Sequence, residues 1–324
     1  MNATAAPLLA VDRLSVEFPT RHGTLVAVHD VSLGIAPGEV LGVVGESGAG
    51  KSLTGAAVIG LLDPPGRIAG GEIRLAGRRI DNLSRDAMRH VRGGEIGMVF
   101  QDPLTSLNPL YTIGRQLIET IATHLPLSAQ DARARAIALL EEVGIAGAAG
   151  RLEHYPHQFS GGMRQRVVIA LALAANPKLI IADEPTTALD VSIQAQIIEL
   201  LKRLTREHGT AVMLITHDMG VIAETAHRVA VMYAGRIVEL GPVADVIHRP
   251  QHPYTVGLMG SIPSIGDDRP RLAQIDGAMP RLDAIPAGCA FHPRCPRAFA
   301  RCRTERPERM AFGASEAACW LRQG

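Results

Sequence analysis

The segment Gly45-Glu46-Ser47-Gly48-Ala49-Gly50-Lys51-Ser52 has the spacing G-x-x-x-x-G-K-[ST] of a phosphate-binding P-loop. Its glycines let backbone N–H groups curl round phosphate oxygens with no Cβ in the way. A helix beginning near Lys51 points the positive end of its dipole at the same anion. Lys51 then reaches the β- and γ-phosphates, the Ser52 hydroxyl is a ligand for Mg²⁺, and the nucleotide-contacting stretch ends at Leu53. Lysine occurs only at Lys51, Lys178 and Lys202 among 33 basic residues, so one of three lysines falls where the chemistry needs it. A second constellation is Leu179-Ile180-Ile181-Ala182-Asp183-Glu184, an apolar strand ending in two carboxylates. Parallel sheets present ligands at the carboxyl ends of their strands. Asp183 there would hold Mg²⁺ through its water shell, and Glu184 is placed to polarise an attacking water as general base. The third set is Cys289, Cys295, Cys302 and Cys319, the only cysteines in 324 residues, all in the last 36.

The elements around these residues are legible from periodicity. Residues 8–16 and 25–35 alternate apolar and polar, as half-buried antiparallel strands do. Residues 40–44 read as a fully buried strand before the glycine-rich turn, with a helix over 51–62 after it. A further strand is expected over 73–81. Residues 105–175 are helical in character, with apolar residues at three-to-four spacing over 114–125 and 129–143. From Lys178 the pattern alternates: strand 179–182, helix 191–208, strand 211–216, helix 219–225, which implies a parallel sheet covered on both faces. Residues 229–233 and 236–240 form a hairpin about Ala234-Gly235. Beyond Pro242 proline and arginine become frequent and the cysteines appear, placing a domain boundary near residue 245.

Composition narrows the function classes. A net charge of +1 and 3% aromatic residues argue against a nucleic-acid binder. The longest apolar stretch, residues 167–175, is far short of the ~20 residues a spanning helix needs. No basic segment followed by an apolar one opens the chain, so a cytosolic protein is expected, peripheral if it works at a membrane.

Four more elements occur in fixed order: Gln101 after the strand-like 96–100, Phe159-Ser160-Gly161-Gly162-Met163-Arg164-Gln165-Arg166 before a helix, Ala188-Leu189-Asp190, and Thr216-His217-Asp218 at a strand end. With the P-loop and the paired carboxylates, this set closely resembles the ATP-binding-cassette (ABC) ATPases over residues 8–245. The resemblance implies an α/β fold: a P-loop NTPase cassette with a RecA-like core, an antiparallel β subdomain and a helical subdomain at about 105–175. It also implies roles. Ser160, Gly161 and Gly162 look like the signature that binds the γ-phosphate of ATP held by an opposite subunit. Gln101 resembles the Q-loop, a Mg²⁺ ligand that senses the membrane partner. His217 resembles the switch histidine, Asp190 the D-loop aspartate linking the two sites, and Phe18 stands where the family places an aromatic against adenine. Met163 departs from the commonest signature, which has Gln there; the phosphate contacts come from Ser160 and the glycines, so no loss of function is expected.

The cysteines follow Cys-x5-Cys-x6-Cys-x16-Cys, which fits one four-thiolate site for zinc or an iron–sulfur cluster and matches neither zinc-ribbon knuckles nor common ferredoxin spacings. A reducing cytosol disfavours disulfides. His292 could also serve as a ligand. Gln251-His252-Pro253-Tyr254-Thr255 and residues 288–298 resemble the C-terminal extension of the dipeptide/oligopeptide importer ATPases, so residues 246–324 are expected to form a small irregular Cys-rich domain. That resemblance implies a 4Fe-4S cluster rather than zinc. It further implies a translocase powering peptide import, a second and related ATPase subunit, two transmembrane permease subunits, and indirectly an extracytoplasmic peptide-binding protein. Nickel or glutathione importers share the tail. A soluble ABC ATPase acting on DNA or ribosomes would carry two cassettes, coiled coils or large insertions. A non-hydrolysing cassette conflicts with the intact Lys51, Asp183, Glu184 and His217.

Overall fold

In the computed structural model the described residues are 6–187, 189–261 and 274–322. The strands are β1 (Leu9–Thr20), β2 (Gly23–Ile35), β3 (Val40–Val44), β4 (Arg67–Leu75), β5 (Arg78–Arg79), β6 (Ile96–Val99), β7 (Leu179–Asp183), β8 (Ala211–Ile215), β9 (Arg228–Tyr233), β10 (Arg236–Pro242), β11 (Met310–Phe312) and β12 (Ser315–Ala317). The α-helices are α1 (Lys51–Val58), α2 (Arg85–Val91), α3 (Pro103–Ser106), α4 (Ile113–His124), α5 (Ala129–Glu142), α6 (Ala148–Arg151), α7 (Gly161–Leu173), α8 (Val191–His208), α9 (Met219–Thr225), α10 (Val243–His248), α11 (Pro253–Gly260) and α12 (Ala300–Thr304). The chain divides into two compact units. A helical unit comprises Met1–Leu8, Ile35–Glu39 and Asn82–Met213; a sheet unit comprises Leu9–Gly34, Val40–Asp81 and Leu214–Gly324.

In the sheet unit, one antiparallel sheet runs β2-β1-β4-β5. The β1–β4 register sets Val11 opposite Ile73 and Leu9 opposite Leu75, which buries the apolar partner on each strand. The second sheet runs β11-β12-β10-β9-β3. Here β3 lies parallel to β9, while β10 returns antiparallel through Ala234-Gly235, both at positive φ (47° and 77°), the geometry of a tight hairpin turn. Past β8, the Thr216 N–H donates to the Val43 carbonyl of β3. All five residues of β3 are buried, as its unbroken apolar run requires.

The helical unit packs α4, α5 and α7 on one another. Ile113, Leu117 and Ile121 of α4, Ala136, Leu139 and Leu140 of α5, and Val167 and Ile169 of α7 are buried. Side-chain caps start these helices: the Thr112 and Ser128 hydroxyls accept the N–H groups of Arg115 and Asp131. Strands β6 and β7 pair in parallel, Ile96 opposite Leu179 and Val99 opposite Ala182.

Two expectations shift. The helix expected over 51–62 stops at Val58, because Gly60 turns to φ 66° and its N–H closes onto the Ala57 carbonyl. The strand expected over 73–81 begins at Arg67 and breaks after Leu75, because Ala76-Gly77 takes positive φ (48° and 80°) and folds β5 back on β4. No helix of the described residues is long and apolar enough to cross a membrane.

Candidate functional site

The glycine-rich loop joins β3 to α1 in the sheet unit. Gly45, Gly48 and Gly50 hold φ of 150°, 82° and 99°. At Gly45 a Cβ would sit 2.3 Å from the Met232 carbonyl oxygen, so glycine is required there on both conformational and steric grounds. The Ala49 N–H closes back on the Glu46 carbonyl at 3.2 Å, and the Ala49 carbonyl accepts the Gly235 N–H at 2.9 Å, tying the loop to the β9–β10 turn. Gly50 caps α1 without a side chain. The Lys51 ammonium is buried and donates to the carbonyls of Gly45 (2.8 Å) and Glu46 (3.1 Å), so it spans the mouth of the loop. A glycine-rich turn between strand and helix with one cation at its mouth has the parts that suit a polyphosphate. Phe18 of β1 is half-buried, its ring against the Gly66 turn, where a Cβ would come within 2.7 Å of ring carbon Cε1. His217, in the same unit, is exposed just beyond β8, between Thr216 and the Asp218 that caps α9.

The helical unit brings the other predicted residues into two groups. In the first, Asp183 ends β7 buried and Glu184 follows at φ 46°, a left-handed conformation that a non-glycine residue adopts only at a cost. The Glu184 carboxylate accepts from the Gln101 amide at 3.0 Å and from the Thr187 hydroxyl at 2.8 Å. In the second, Ser160 caps α7 by accepting the Met163 N–H at 3.3 Å, with Gly161 and Gly162 in the first turn. A Cβ on Gly162 would lie 2.8 Å from the Ile193 side chain, and one on Gly161 3.7 Å from Leu189, so the signature turn packs against the segment that holds Asp190. The Asp190 carbonyl accepts the N–H groups of Ile193 and Gln194 and opens α8. Ala188 lies outside the described residues.

The four cysteines line one small cavity in the sheet unit, with His252, Phe291, His292 and Trp320. None is disulfide-bonded. Gly288, at φ 67°, lets the Cys289 N–H reach the Cys302 carbonyl at 2.9 Å; a Cβ there would strike that carbonyl oxygen at 2.5 Å. Successive turns carry the chain from Cys289 through His292 to Cys295. The His292 Nδ1 lies 3.0 Å from the Cys289 carbonyl, an acceptor, so Nδ1 donates there and Nε2 is the ring nitrogen not used in that bond. Burial pushes the Cys289 thiol up to about 11, with the other three thiols adding to the rise; Cys295 and Cys319 are raised in the same sense.

Comparison with known proteins bears directly on this geometry. The family profile described as ABC transporter matches residues 28–187, and that described as oligopeptide/dipeptide transporter, C-terminal region, matches residues 238–302. The dipeptide transport ATP-binding protein DppD of Escherichia coli is 49% identical over 300 residues, covering 93% of this chain and 92% of that protein. Its namesake in Bacillus subtilis is 47% identical over 316 residues, covering 97% and 94%. The chain belongs to the dipeptide/oligopeptide importer family of ABC transporter ATP-binding proteins. Among solved structures, an ATP-binding cassette captured as a dimer with ADP and phosphate matches with a TM-score of 0.66 at 30% identity, covering 72% of this chain and 98% of that one. The cbiO1 subunit of a Clostridium perfringens ABC transporter matches with a TM-score of 0.65 at 29% identity, covering 75% and 91%. The fold is therefore the α/β ABC cassette, and the protein is an ABC transporter ATPase.

Two residues of this ABC protein that bear on the loop escape motif reasoning. The Tyr254 hydroxyl accepts the Glu46 N–H at 2.8 Å, and the Arg294 guanidinium bonds the Glu46 carboxylate at 3.0 Å. Both lie more than 200 residues from the P-loop, so no local pattern pairs them with it.

Proposed function

We propose that this chain is the subunit that binds and hydrolyses ATP to drive peptide import, acting peripherally at the cytoplasmic face of a membrane through two permease subunits. The observation that carries the reading is the full-length likeness to dipeptide transport ATP-binding proteins, C-terminal region included. We assign residues 1–245 to the ABC ATPase domain, with its helical subdomain at about 105–175, and residues 246–324 to the C-terminal extension.

The residue roles follow from chemistry. Residues 45–53 cradle the phosphates of ATP, with Lys51 at the β- and γ-phosphates, and Phe18 packs on the adenine. Ser52, Gln101 and Asp183 are hard oxygen donors that suit Mg²⁺, which when bound neutralises charge on the phosphate oxygens. Glu184 is the general base, held by Gln101 and Thr187 until water and nucleotide are in place. His217 contacts the γ-phosphate and orients the water. Ser160, Gly161 and Gly162 offer backbone N–H groups to the γ-phosphate on a second cassette, and Asp190 links the two sites. Val191, beside Asp190, is 81% exposed, and Leu104 and Leu110, past Gln101, are 61% and 79% exposed. These apolar side chains suit contacts with a second, related ATPase subunit and with the permeases. ATP binding closes two cassettes and hydrolysis releases them.

The cysteine cavity suits a 4Fe-4S cluster. Four thiols share it, and the other three add to the rise at Cys289, a repulsion that bound cations reverse. A single zinc ion would draw four thiolate sulfurs to about 3.8 Å of one another. Among the described residues, ligand atoms of three His, Cys, Asp or Glu side chains lie within 4.8 Å of one another only at Glu142, Glu207 and His208, so the thiols stand wider than one zinc ion needs. Cys289, Cys295, Cys302 and Cys319 would each bind one iron, and the cluster would tie four short turns together.

The test is purification of the whole membrane complex with an ATPase assay. Stimulation by di- and oligopeptides with their binding protein is expected. Stimulation by nickel or glutathione instead would reassign the substrate, and ATPase activity dependent on nucleic acid would overturn the transport reading.

A further inference from the structure

We infer that Arg294 and Tyr254, both in the C-terminal extension, are positioning residues of the phosphate loop: they grip Glu46 and so make nucleotide affinity depend on that extension. The inference rests on residues 45–52 being the phosphate loop, and it concerns residues of one compact unit.

Glu46, the second residue of the loop, is held at three points. Its N–H donates to the Tyr254 hydroxyl at 2.8 Å, its carboxylate pairs with Arg294 at 3.0 Å, and its carbonyl receives the Lys51 ammonium at 3.1 Å. Rotation of this one peptide would move the seat of Lys51, the residue assigned to the phosphates. The grip is rigid because both outside partners are buried. The Arg294 side chain is only 7% exposed. Its Nε donates to the Asp276 carbonyl at 2.8 Å and its Nη2 to the carbonyls of Ile275 (3.3 Å) and Gly277 (3.4 Å), which fix the guanidinium before it meets Glu46. The Glu46 side chain is 29% exposed, so the pair is part-buried, and parting it leaves the shielded guanidinium without its carboxylate. Tyr254 is fully buried, its ring edge-on to Tyr233 at 4.8 Å and tilted against Phe291 at 5.4 Å. Phe291 lies between Cys289 and Cys295, and Arg294 directly precedes Cys295, so the cysteine turns carry the clamp. The segment that anchors Arg294 also reaches the loop itself: a Cβ on Gly48 would lie 3.8 Å from Met279. The Tyr254 and Arg294 contacts come from outside the β3–α1 turn, more than 200 residues along the chain.

The experiment uses the full chain, a fluorescent mant-ADP titration and steady-state ATPase kinetics, with thermal melting and metal content recorded for each variant. Tyr254→Phe keeps the ring and removes the acceptor. It is expected to weaken mant-ADP binding about tenfold and raise KM for ATP by a similar factor, with kcat little changed. Arg294→Met is expected to do the same in the parent and to add less than about twofold in a Glu46→Ala background, because its action runs through Glu46. Arg294→Lys should recover part of the loss. An Arg294 that only staples Ile275–Gly277 would lower the melting temperature and leave affinity untouched, or act equally in both backgrounds; either result overturns the inference. Tyr254→Phe at parental affinity overturns it too, even if Arg294→Met fails to fold. Lys51→Ala separates the premise: if it binds mant-ADP normally, the phosphate-loop assignment itself is wrong.

Discussion

Glu184, the proposed general base, has a left-handed backbone and a carboxylate oxygen shared by Gln101 and Thr187. Replacing it with Gln keeps the size and both neighbours while removing the base. Glu184→Gln is expected to bind ATP at parental affinity and to lose at least about a hundredfold in turnover, measured by phosphate release; near-parental turnover would remove Glu184 from the role. His252 offers a test of another kind. Its ring is fully buried, Nδ1 accepts the Tyr254 N–H at 3.1 Å, and burial lowers its pKa to about 3. The folded state therefore releases a proton that the unfolded state keeps between about pH 6.5 and 3, so stability is full above that window and falls as pH drops through it. At pH 5 the loss is about 2 kcal/mol, and His252→Asn, which keeps an acceptor for the cap, should flatten that part of the stability–pH curve. A curve of equal slope in the variant would assign the acid sensitivity elsewhere.

At the scale of elements, the phosphate loop depends on the β9–β10 hairpin as much as on its own glycines, since Gly235 donates to Ala49 and Met232 closes over Gly45. Local sequence shows the loop and shows the hairpin, and nothing local shows that they touch. The same holds for β6 and α7. Gly97 reads as an ordinary member of an apolar strand, yet a Cβ there would stand 2.3 Å from the Ala172 carbonyl oxygen. Gly97→Val should push α7 off its seat and destabilise the protein by about 1–3 kcal/mol in chemical denaturation. An unchanged midpoint would mean that the helix yields without cost. The turns at Ala76-Gly77 and Ala234-Gly235 are alike in type and conformation, and only the second lies between two apolar runs long enough to be read as strands.

At the scale of the whole chain, the cysteine extension is built into the sheet unit: β12 pairs with β10, Glu239 opposite Ala317, and the buried Glu239 carboxylate accepts the N–H groups of Gln251 and His252 at 2.8 Å. Under the cluster proposal, loss of the metal should therefore be felt beyond the cysteines. Anaerobically purified protein is expected to be brown, with about four irons per chain. Cys302→Ser should bleach it and lower the melting temperature. A colourless parent with stoichiometric zinc would overturn the cluster proposal. The amino-acid sequence by itself determined the candidate segments and their order along the chain: the phosphate loop, the signature turn, the carboxylates at the end of β7 and the four thiols. Each of these depends on residue types at short fixed spacings, which backbone geometry converts directly into local structure. Tertiary structure alone decided what those segments lean on: Gln101 against Glu184, Leu189 and Ile193 against the signature glycines, the first cysteine against the third, and Tyr254 and Arg294 on Glu46. Such contacts join positions up to 248 residues apart, and their partners are set by packing and by the need to satisfy buried polar groups, which leave no periodic trace along the chain.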